Sequence, residues 1–243
     1  MKKYILGASV FCLILSIGCK KNLLDKNVYF HATDATSLSF IKVFVATVKA
    51  SNTYVYADNV PLTGARLSFQ STFPTNLGYA TITPGQRSIS IRDTTSTYTQ
   101  VPAVFNQVFN AGQYYSLFIY DTLNNTKYLV VKDNIVVPAD TSSQIRFANL
   151  VFSQTAVPNV DVFSKDLNKN VFTNLSVGSV TDFISFPSKV VDTLIVQPTG
   201  TSTALANIIF TPGARRSYTV VFNGRYQTTT GAIARTLSLY SNQ

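Results

Sequence analysis

The sequence of 243 residues has no tryptophan and no glutamate, and it contains a single histidine, His31. All 11 acidic residues are therefore aspartates, which favour turns and caps over the interiors of helices and strands. A lone histidine near the N-terminus lacks the partners that a catalytic triad or a histidine-based metal site requires. These absences argue against an enzyme, and they predict no catalytic residue, no metal site and no cofactor.

Cysteine is also scarce, and both cysteines, Cys12 and Cys19, lie at the N-terminus. Residues 1–18 begin with two lysines, continue through a short apolar run and end in a small residue, which are the parts of a secretory signal peptide. The apolar run is shorter than the roughly 20 residues that a membrane-spanning helix needs. Once residues 1–18 are removed, Cys19 is the one remaining thiol, so the chain is predicted to form no disulfide.

The residues around this cysteine resemble a bacterial lipobox. The stretch is Leu15-Ser16-Ile17-Gly18-Cys19, with Ser16 at the position where the pattern usually has leucine. The resemblance, which is closest to lipoproteins of the Bacteroidetes type, implies that Cys19 carries diacylglycerol and palmitate and that residues 19–36 are a tether. Two or three acyl chains are enough for stable anchoring in a membrane. An outer-membrane address follows, surface-exposed or periplasm-facing; the alternative is an ordinary signal peptide that leaves Cys19 as a free thiol.

The net charge of +9 raises the question of a nucleic-acid partner. Beyond the signal peptide the cations are scattered singly, apart from Lys20-Lys21 beside the predicted anchor and Arg215-Arg216 in a predicted turn. No helix or stripe gathers them, and an exported protein rarely meets nucleic acid. We predict no nucleic-acid partner.

Strand-forming residues dominate the chain after the signal peptide, where Tyr, Phe, Val and Thr are interspersed with turn-forming Asp, Asn, Gly and Pro. No segment there has apolar residues at helical spacing over three turns, whereas several alternate with a period of two. The pattern predicts an all-β protein, and Asn223-Gly224 predicts a two-residue type I′ hairpin.

One strand pattern occurs twice. Residues 108–119 correspond to residues 209–222, since both contain an apolar pair, a glycine turn and an aromatic residue near the start of a long apolar strand. A repeat of about 100 residues fits an immunoglobulin-like sandwich. We therefore predict two tandem immunoglobulin-like antiparallel β-sandwich domains, at residues 37–138 and 139–243.

Several short motifs in both copies resemble the lipoproteins of the domain-of-unknown-function 4397 family. They are Tyr54-Val-Tyr-Ala-Asp58, Tyr79-Ala-Thr-Ile-Thr-Pro-Gly85, Ala111-Gly-Gln-Tyr-Tyr115, Val160-Asp-Val162, and Pro212-Gly213 with Tyr218. The second copy departs from the pattern at Pro187-Ser188 and at Arg215-Arg216. That family has no established activity, so the resemblance implies a fold and adds little about function.

Four tyrosines in the first copy are candidate partner-binding residues. Tyr54 and Tyr56 share one face of a predicted strand because side chains alternate along it, and Tyr79 and Tyr115 add two more rings. Exposed tyrosines can stack on sugar rings or anchor a protein partner. They can equally fill a sandwich core, and the absence of tryptophan counts against a carbohydrate-binding module.

Three functional hypotheses remain open at this point. The first is a non-catalytic envelope lipoprotein that binds a glycan or an envelope protein. The second is a structural spacer or accessory subunit of an outer-membrane assembly with no ligand of its own, and the third is a hydrolase that uses aspartates alone. An oxygen-rich stretch with Asp161, Asp166, Asn168 and Asn170 could hold calcium, although it lacks the spacing of an EF-hand loop.

Overall fold

The computed structural model describes residues 35–75, 77–94 and 101–243. The predicted signal peptide, Cys19, His31 and nearly all of the predicted tether lie outside these residues. Residues 34–243 belong to one compact unit. Among the described residues, no helix has both the length and the apolar character needed to span a membrane.

The first half of the described chain forms a β-sandwich that follows one turn of 3₁₀ helix, Ala35–Ser37. Its described strands are β1 (Ser39–Val45), β2 (Thr53–Ala57), β3 (Val60–Pro61), β4 (Thr72–Phe73), β5 (Ala80–Ile82), β6 (Gly85–Asp93), β7 (Ala103–Phe109), β8 (Tyr114–Thr122) and β9 (Asn125–Asp133). Inner sheet 1 has the order β4-β1-β8-β9, with β5 also paired to β1, and outer sheet 1 has the order β3-β2-β6-β7.

The second half repeats this arrangement. Its described strands are β10 (Ser143–Asn149), β11 (Val160–Ser164), β12 (Lys169–Leu175), β13 (Ser179–Val180), β14 (Ile184–Phe186), β15 (Asp192–Pro198), β16 (Ala206–Phe210), β17 (Ser217–Asn223) and β18 (Thr236–Ser241). Inner sheet 2 has the order β13-β10-β17-β18, with β14 also paired to β10, and outer sheet 2 has the order β12-β11-β15-β16.

Period-two alternation builds the core of each sandwich. In β2, Thr53 and Val55 are buried, whereas Tyr54 and Tyr56 on the opposite face are only partly buried. Apolar residues from both sheets of the first sandwich form one buried cluster, which includes Ile41, Val43, Val55, Ile89, Ile91, Leu117 and Ile119. The second sandwich has a matching cluster, which includes Ile145, Phe147, Val162, Leu194, Val196, Val220 and Phe222. The prediction of two β-sandwiches is confirmed.

Each sandwich also contains one parallel strand pair, which a purely antiparallel arrangement does not include. β1 runs parallel to β8, with Ile41 opposite Tyr115, and β10 runs parallel to β17, with Ile145 opposite Tyr218. A parallel pair needs a long crossover between its strands. The outer sheet supplies that crossover, because the chain passes through it between β1 and β8 and again between β10 and β17.

The two sandwiches pack against each other through their inner sheets. β1 is buried on both faces from Ile41 to Val45, and β10 is buried on both faces from Ile145 to Asn149. A third apolar cluster lies between the sheets and contains Phe44, Ala46, Phe118, Ala148, Leu150 and Val221, all at most 2% exposed. The central strands of the inner sheets are therefore buried on both faces, and the described residues form a stack of four sheets.

The described strands pair only within residues 39–133 or within residues 143–241. This pairing agrees with a division of the chain in the connecting segment 134–142. The boundary between residues 138 and 139 stays a prediction.

Candidate functional site

Two of the four predicted tyrosines lie on the solvent-facing side of outer sheet 1. Tyr54 and Tyr56 are partly buried there, and the Arg92 guanidinium lies 5.0 Å from the centre of the Tyr56 ring. Tyr54 is opposite Arg92 in the neighbouring strand.

The expectation of a partner-binding ring at Tyr115 is wrong, because this side chain belongs to the core of the first sandwich. Tyr115 is 4% exposed and packs edge-on against Phe109 at 5.1 Å. Its hydroxyl accepts a hydrogen bond of 3.0 Å from the Asn110 N–H. In the second sandwich, the Tyr218 hydroxyl accepts one of 2.8 Å from the Gly213 N–H. Tyr115 and Tyr218 each fix the turn before their strand.

Tyr79 lies between the two sandwiches, where it reaches a buried polar network. Its hydroxyl donates to Asp133 Oδ2 at 2.7 Å and accepts a bond of 2.8 Å from Asn242 Nδ2. Burial, and to a smaller extent the negative charge of Asp133, raises the pKa of Tyr79 above its ordinary value. The phenol therefore stays protonated, as its role as a donor to Asp133 requires.

An ion pair between Arg146 and Asp133 forms the centre of this network and joins the two sandwiches. Arg146 Nη1 lies 2.5 Å from Asp133 Oδ1, and both side chains are at most 1% exposed. The other two guanidinium nitrogens donate to the Ser116 hydroxyl at 2.7 Å and the Thr219 hydroxyl at 2.9 Å. Each of the three nitrogens thus makes a hydrogen bond, and a buried ion pair needs such additional bonds in order to be tolerated.

Lys42 occupies the position in β1 that Arg146 occupies in β10. Lys42 is opposite Ser116, as Arg146 is opposite Thr219, so the two sandwiches contribute equivalent cations to their interface. Lys42 Nζ donates to the Gly78 carbonyl at 2.9 Å and lies 6.0 Å from the Tyr79 ring centre. Burial lowers the pKa of Lys42 to about 8, although the charge of Asp133 opposes this shift.

Beyond this network, at one end of the interface, the inner sheets separate and leave a cleft of about 510 Å³. We call it the aromatic cleft. Its described lining residues are Phe40, Leu77, Gly78, Tyr79, Tyr114, Ile135, Val137, Arg216, Asn242 and Gln243. Its volume lies within the range of about 300–1,000 Å³ that is usual for small-ligand sites.

The first sandwich supplies an aromatic wall to this cleft. Phe40 and Tyr114 are neighbours across the parallel pair β1–β8, and their rings stack at 4.7 Å with 15° between the ring planes. Tyr79 meets Tyr114 edge-on at 5.0 Å. Tyr114 is 38% exposed, so part of the aromatic surface faces solvent.

The second sandwich supplies a polar wall. Arg216, just before β17, is exposed, and it is the one charged side chain among the described lining residues. The amide of Asn242 is engaged at the base of the cleft, where it donates to the Tyr79 hydroxyl and accepts a bond of 2.6 Å from Thr219. The cleft thus opposes aromatic rings to hydrogen-bonding groups.

A smaller cleft of about 280 Å³ lies at the opposite end of the interface. Its described lining includes Val48, Leu123, Phe152 and Ile233, and Phe152 is its one aromatic ring. The smaller cleft also has polar lining side chains, among them Lys49, Asn124, Gln154 and Arg225. The aromatic cleft is the better candidate for a binding site because it is larger and has three aromatic rings, Phe40, Tyr79 and Tyr114.

The oxygen-rich stretch around Asp161 serves the loops of the second sandwich. The carboxylate of Asp161 accepts hydrogen bonds from Asn174 N at 2.8 Å, Thr199 Oγ1 at 2.9 Å and Gly200 N at 3.2 Å. Although burial opposes ionisation, these donors hold the pKa of Asp161 below its ordinary value. Asp166 contributes its backbone N–H to Asp192. No group of three or more metal-ligating His, Cys or Asp side chains occurs in the described ranges.

The four candidate tyrosines include Tyr79 but not Tyr114, and Phe40 and Arg216 were not predicted to line a site. Alternation along β8 was the available signal, because Tyr114 and Tyr115 must point to opposite faces of the sheet. The pairing of Tyr114 with Phe40 depends on the parallel register of β1 and β8, which the sequence does not reveal.

The fold and the cleft define a class of protein in which two stacked β-sandwiches enclose a shared groove. A sequence profile of the family described as "Domain of unknown function (DUF4397)" matches residues 39–163, just over half of the 243 residues. The chain belongs to this family. The matched region contains the first sandwich and continues through β10 into β11.

Two further comparisons add little. No curated protein has significant sequence similarity to the chain. Among solved structures, the chain is similar to CBMbc (family CBM26) from Eubacterium rectale Amy13K, described in complex with maltoheptaose. The two share 10% sequence identity with a TM-score of 0.28, over 85% of this chain and 97% of the other. A likeness this low supplies no argument about a ligand.

Proposed function

We propose that this protein is a non-catalytic lipoprotein of the cell envelope that binds a glycan in the aromatic cleft. The observation that carries the proposal is the opposition of two unlike walls, the Phe40–Tyr114 stack on one side and the Arg216 wall on the other. A sugar ring has the same two-sided character, since its C–H face packs on an aromatic ring and its hydroxyls need hydrogen-bond partners. The cleft also has room for a sugar unit.

Binding of an oligosaccharide panel to the purified protein tests this proposal. We expect Tyr114→Ala to weaken binding about 5- to 10-fold, because loss of a stacked ring costs on the order of 1–1.5 kcal/mol. Tyr114→Phe keeps the ring and should bind nearly as well as the unmodified chain. Tyr54→Ala, on the distant face of outer sheet 1, is the matched control and should leave affinity unchanged. If no oligosaccharide binds, or if Tyr54→Ala weakens binding and Tyr114→Ala does not, the proposed site is wrong.

The envelope address rests on the lipobox-like stretch that ends at Cys19. We expect the unmodified protein to fractionate with the outer membrane and Cys19→Ala to become soluble, because the acyl chains are the predicted anchor. A Cys19→Ala protein that still sediments with membranes would contradict lipid anchoring. Protease treatment of intact and lysed cells then decides between the outer surface and the periplasmic face.

A second candidate function, that of a spacer, is favoured by the interface between the sandwiches. The buried pair Arg146–Asp133 and the apolar cluster around Phe118 hold the two halves together, as a spacer of fixed length requires. The variant Tyr114→Ala, which removes the stacked ring from the cleft, separates the two functions. A spacer should still co-purify with the same envelope proteins after this change, whereas a glycan-binding protein should bind its ligand more weakly.

A further inference from the structure

The charge around the aromatic cleft narrows the class of glycan, provided that the cleft is the glycan site proposed above. Arg216 is the one charged side chain on the described walls, and it is exposed. A guanidinium binds a planar carboxylate through two parallel hydrogen bonds, which makes arginine well suited to carboxylate recognition. An exposed arginine opposite an aromatic stack therefore favours a sugar that carries an acid.

The groups beneath the cleft add to this preference. Asp133 is the acid nearest to the Tyr79 floor, but its charge is matched by Arg146, which lies 2.5 Å away. Lys42 adds a further cation, 6.0 Å from the centre of the Tyr79 ring. Among these described side chains, three cations, Arg216, Lys42 and Arg146, thus accompany one acid, Asp133, and the C-terminal carboxylate of Gln243 on the cleft wall is a second anionic group. An excess of positive charge around a cleft favours the binding of an anion.

We infer that the aromatic cleft binds an oligosaccharide containing a carboxylated sugar, a uronic acid, with its ring on Tyr114 and its carboxylate on Arg216. The walls come from different sandwiches, so the ligand spans the interface between them. Gln113 precedes β8 as Arg216 precedes β17, and in this position the first sandwich carries no charge. The second sandwich therefore binds the carboxylate of the sugar, and the first sandwich binds its ring.

Calorimetric titration of the full chain tests this inference with three probes: oligogalacturonate, its methyl ester and a sulfated oligosaccharide. The free acid should bind at least tenfold more tightly than the methyl ester, which removes the charge and keeps the ring. Arg216→Ala should lower affinity for the acid by about 10- to 100-fold, the range expected for a charge-assisted hydrogen bond. The same variant should bind the methyl ester as the unmodified chain does.

Arg215→Asn is the matched control, because it removes the same charge one residue away. Arg215 is exposed and has φ of 59°, a left-handed conformation that asparagine tolerates. The affinity of the Arg215→Asn variant for oligogalacturonate should equal that of the unmodified chain. Tyr114→Ala should weaken binding of acid and ester alike.

Different results overturn different claims. Equal binding of acid and ester, or full binding by Arg216→Ala, would overturn the carboxylate assignment and leave the glycan site standing. Tight binding of the sulfated probe alone would also overturn it. If neither acidic nor neutral oligosaccharides bind, the proposed function itself is overturned.

Discussion

At the scale of single residues, the Arg146–Asp133 pair has the largest expected effect on stability. Arg146→Ala leaves the Asp133 carboxylate buried without its cation, which costs about 3–5 kcal/mol of unfolding free energy. Replacing both partners with apolar residues, as in Arg146→Met with Asp133→Leu, should recover part of this loss, because the Tyr79 and Ser116 hydroxyls then lack their acceptor. Urea denaturation measures both variants.

The exposed pair Lys127–Asp121 is the control for this experiment. Its atoms are 2.7 Å apart, but the Lys127 side chain is 53% exposed. Lys127→Ala should therefore cost less than about 1 kcal/mol. If Lys127→Ala and Arg146→Ala lowered the unfolding free energy by similar amounts, burial would not be what makes the Arg146–Asp133 pair important.

Lys42 makes the stability depend on pH in the alkaline range. Its pKa falls from 10.5 in the unfolded chain to about 8 in the folded protein, because burial disfavours the charged amine. Between these values the unfolded chain binds more protons, so stability should rise from pH 8 towards pH 10, on the order of 1 kcal/mol. Above about pH 10 the tyrosines oppose this rise, because Tyr79 and Tyr240 have raised pKa values in the folded protein.

Lys42→Met removes the buried amine and should flatten this dependence. Urea midpoints at pH 7 and pH 9.5 compare the variant with the unmodified chain. The increase in stability of the variant over the unmodified chain should be largest at pH 7, where Lys42 is charged in the unmodified protein. An equal gain at the two pH values would show that Lys42 does not titrate in this window.

At the scale of strands and turns, the pair Tyr115 and Tyr218 carries a matched prediction. Each hydroxyl accepts a backbone N–H from the turn five residues earlier, Asn110 in one copy and Gly213 in the other. Tyr115→Phe and Tyr218→Phe leave these N–H groups without their acceptor, which should cost about 1–3 kcal/mol each. Tyr54→Phe, on the outer face, should change stability by less than about 0.5 kcal/mol. Denaturation, with amide exchange at Asn110 and Gly213, measures the effect.

The strands of both copies could be predicted because their local signals are strong. Residues 108–119 and 209–222 do form equivalent strand–turn–strand units, β7–β8 and β16–β17. The hairpin predicted at Asn223-Gly224 was wrong, since β18 begins only at Thr236. Gly224 is required for a different reason: it has φ of 89°, and a Cβ there would overlap the Ala234 carbonyl oxygen.

At the scale of the whole molecule, the contact between the sandwiches was the feature that the sequence hid. Residues 40–45 of β1 are apolar apart from Lys42, and such runs occur in strands that are buried on both sides, whereas the interface face of β10 carries Gln144 and Arg146. That signal indicates a covering layer without saying which surface covers it. The aromatic cleft exists only because the two inner sheets meet, so its two walls could not be brought together from sequence alone.

The shared interface predicts that the two sandwiches unfold together. Separation of the two sandwiches would expose the apolar cluster around Phe118 and Val221, and it would break the ion pair between Arg146 and Asp133. Scanning calorimetry of the full chain should therefore show one transition with equal calorimetric and van't Hoff enthalpies.

Ala148→Arg overpacks the interface without touching either sandwich core, and it should divide the transition or lower the midpoint by several degrees. Asn207→Arg, at an exposed position of β16, should do neither. Two independent transitions in the unmodified protein would mean that the interface does not couple its halves.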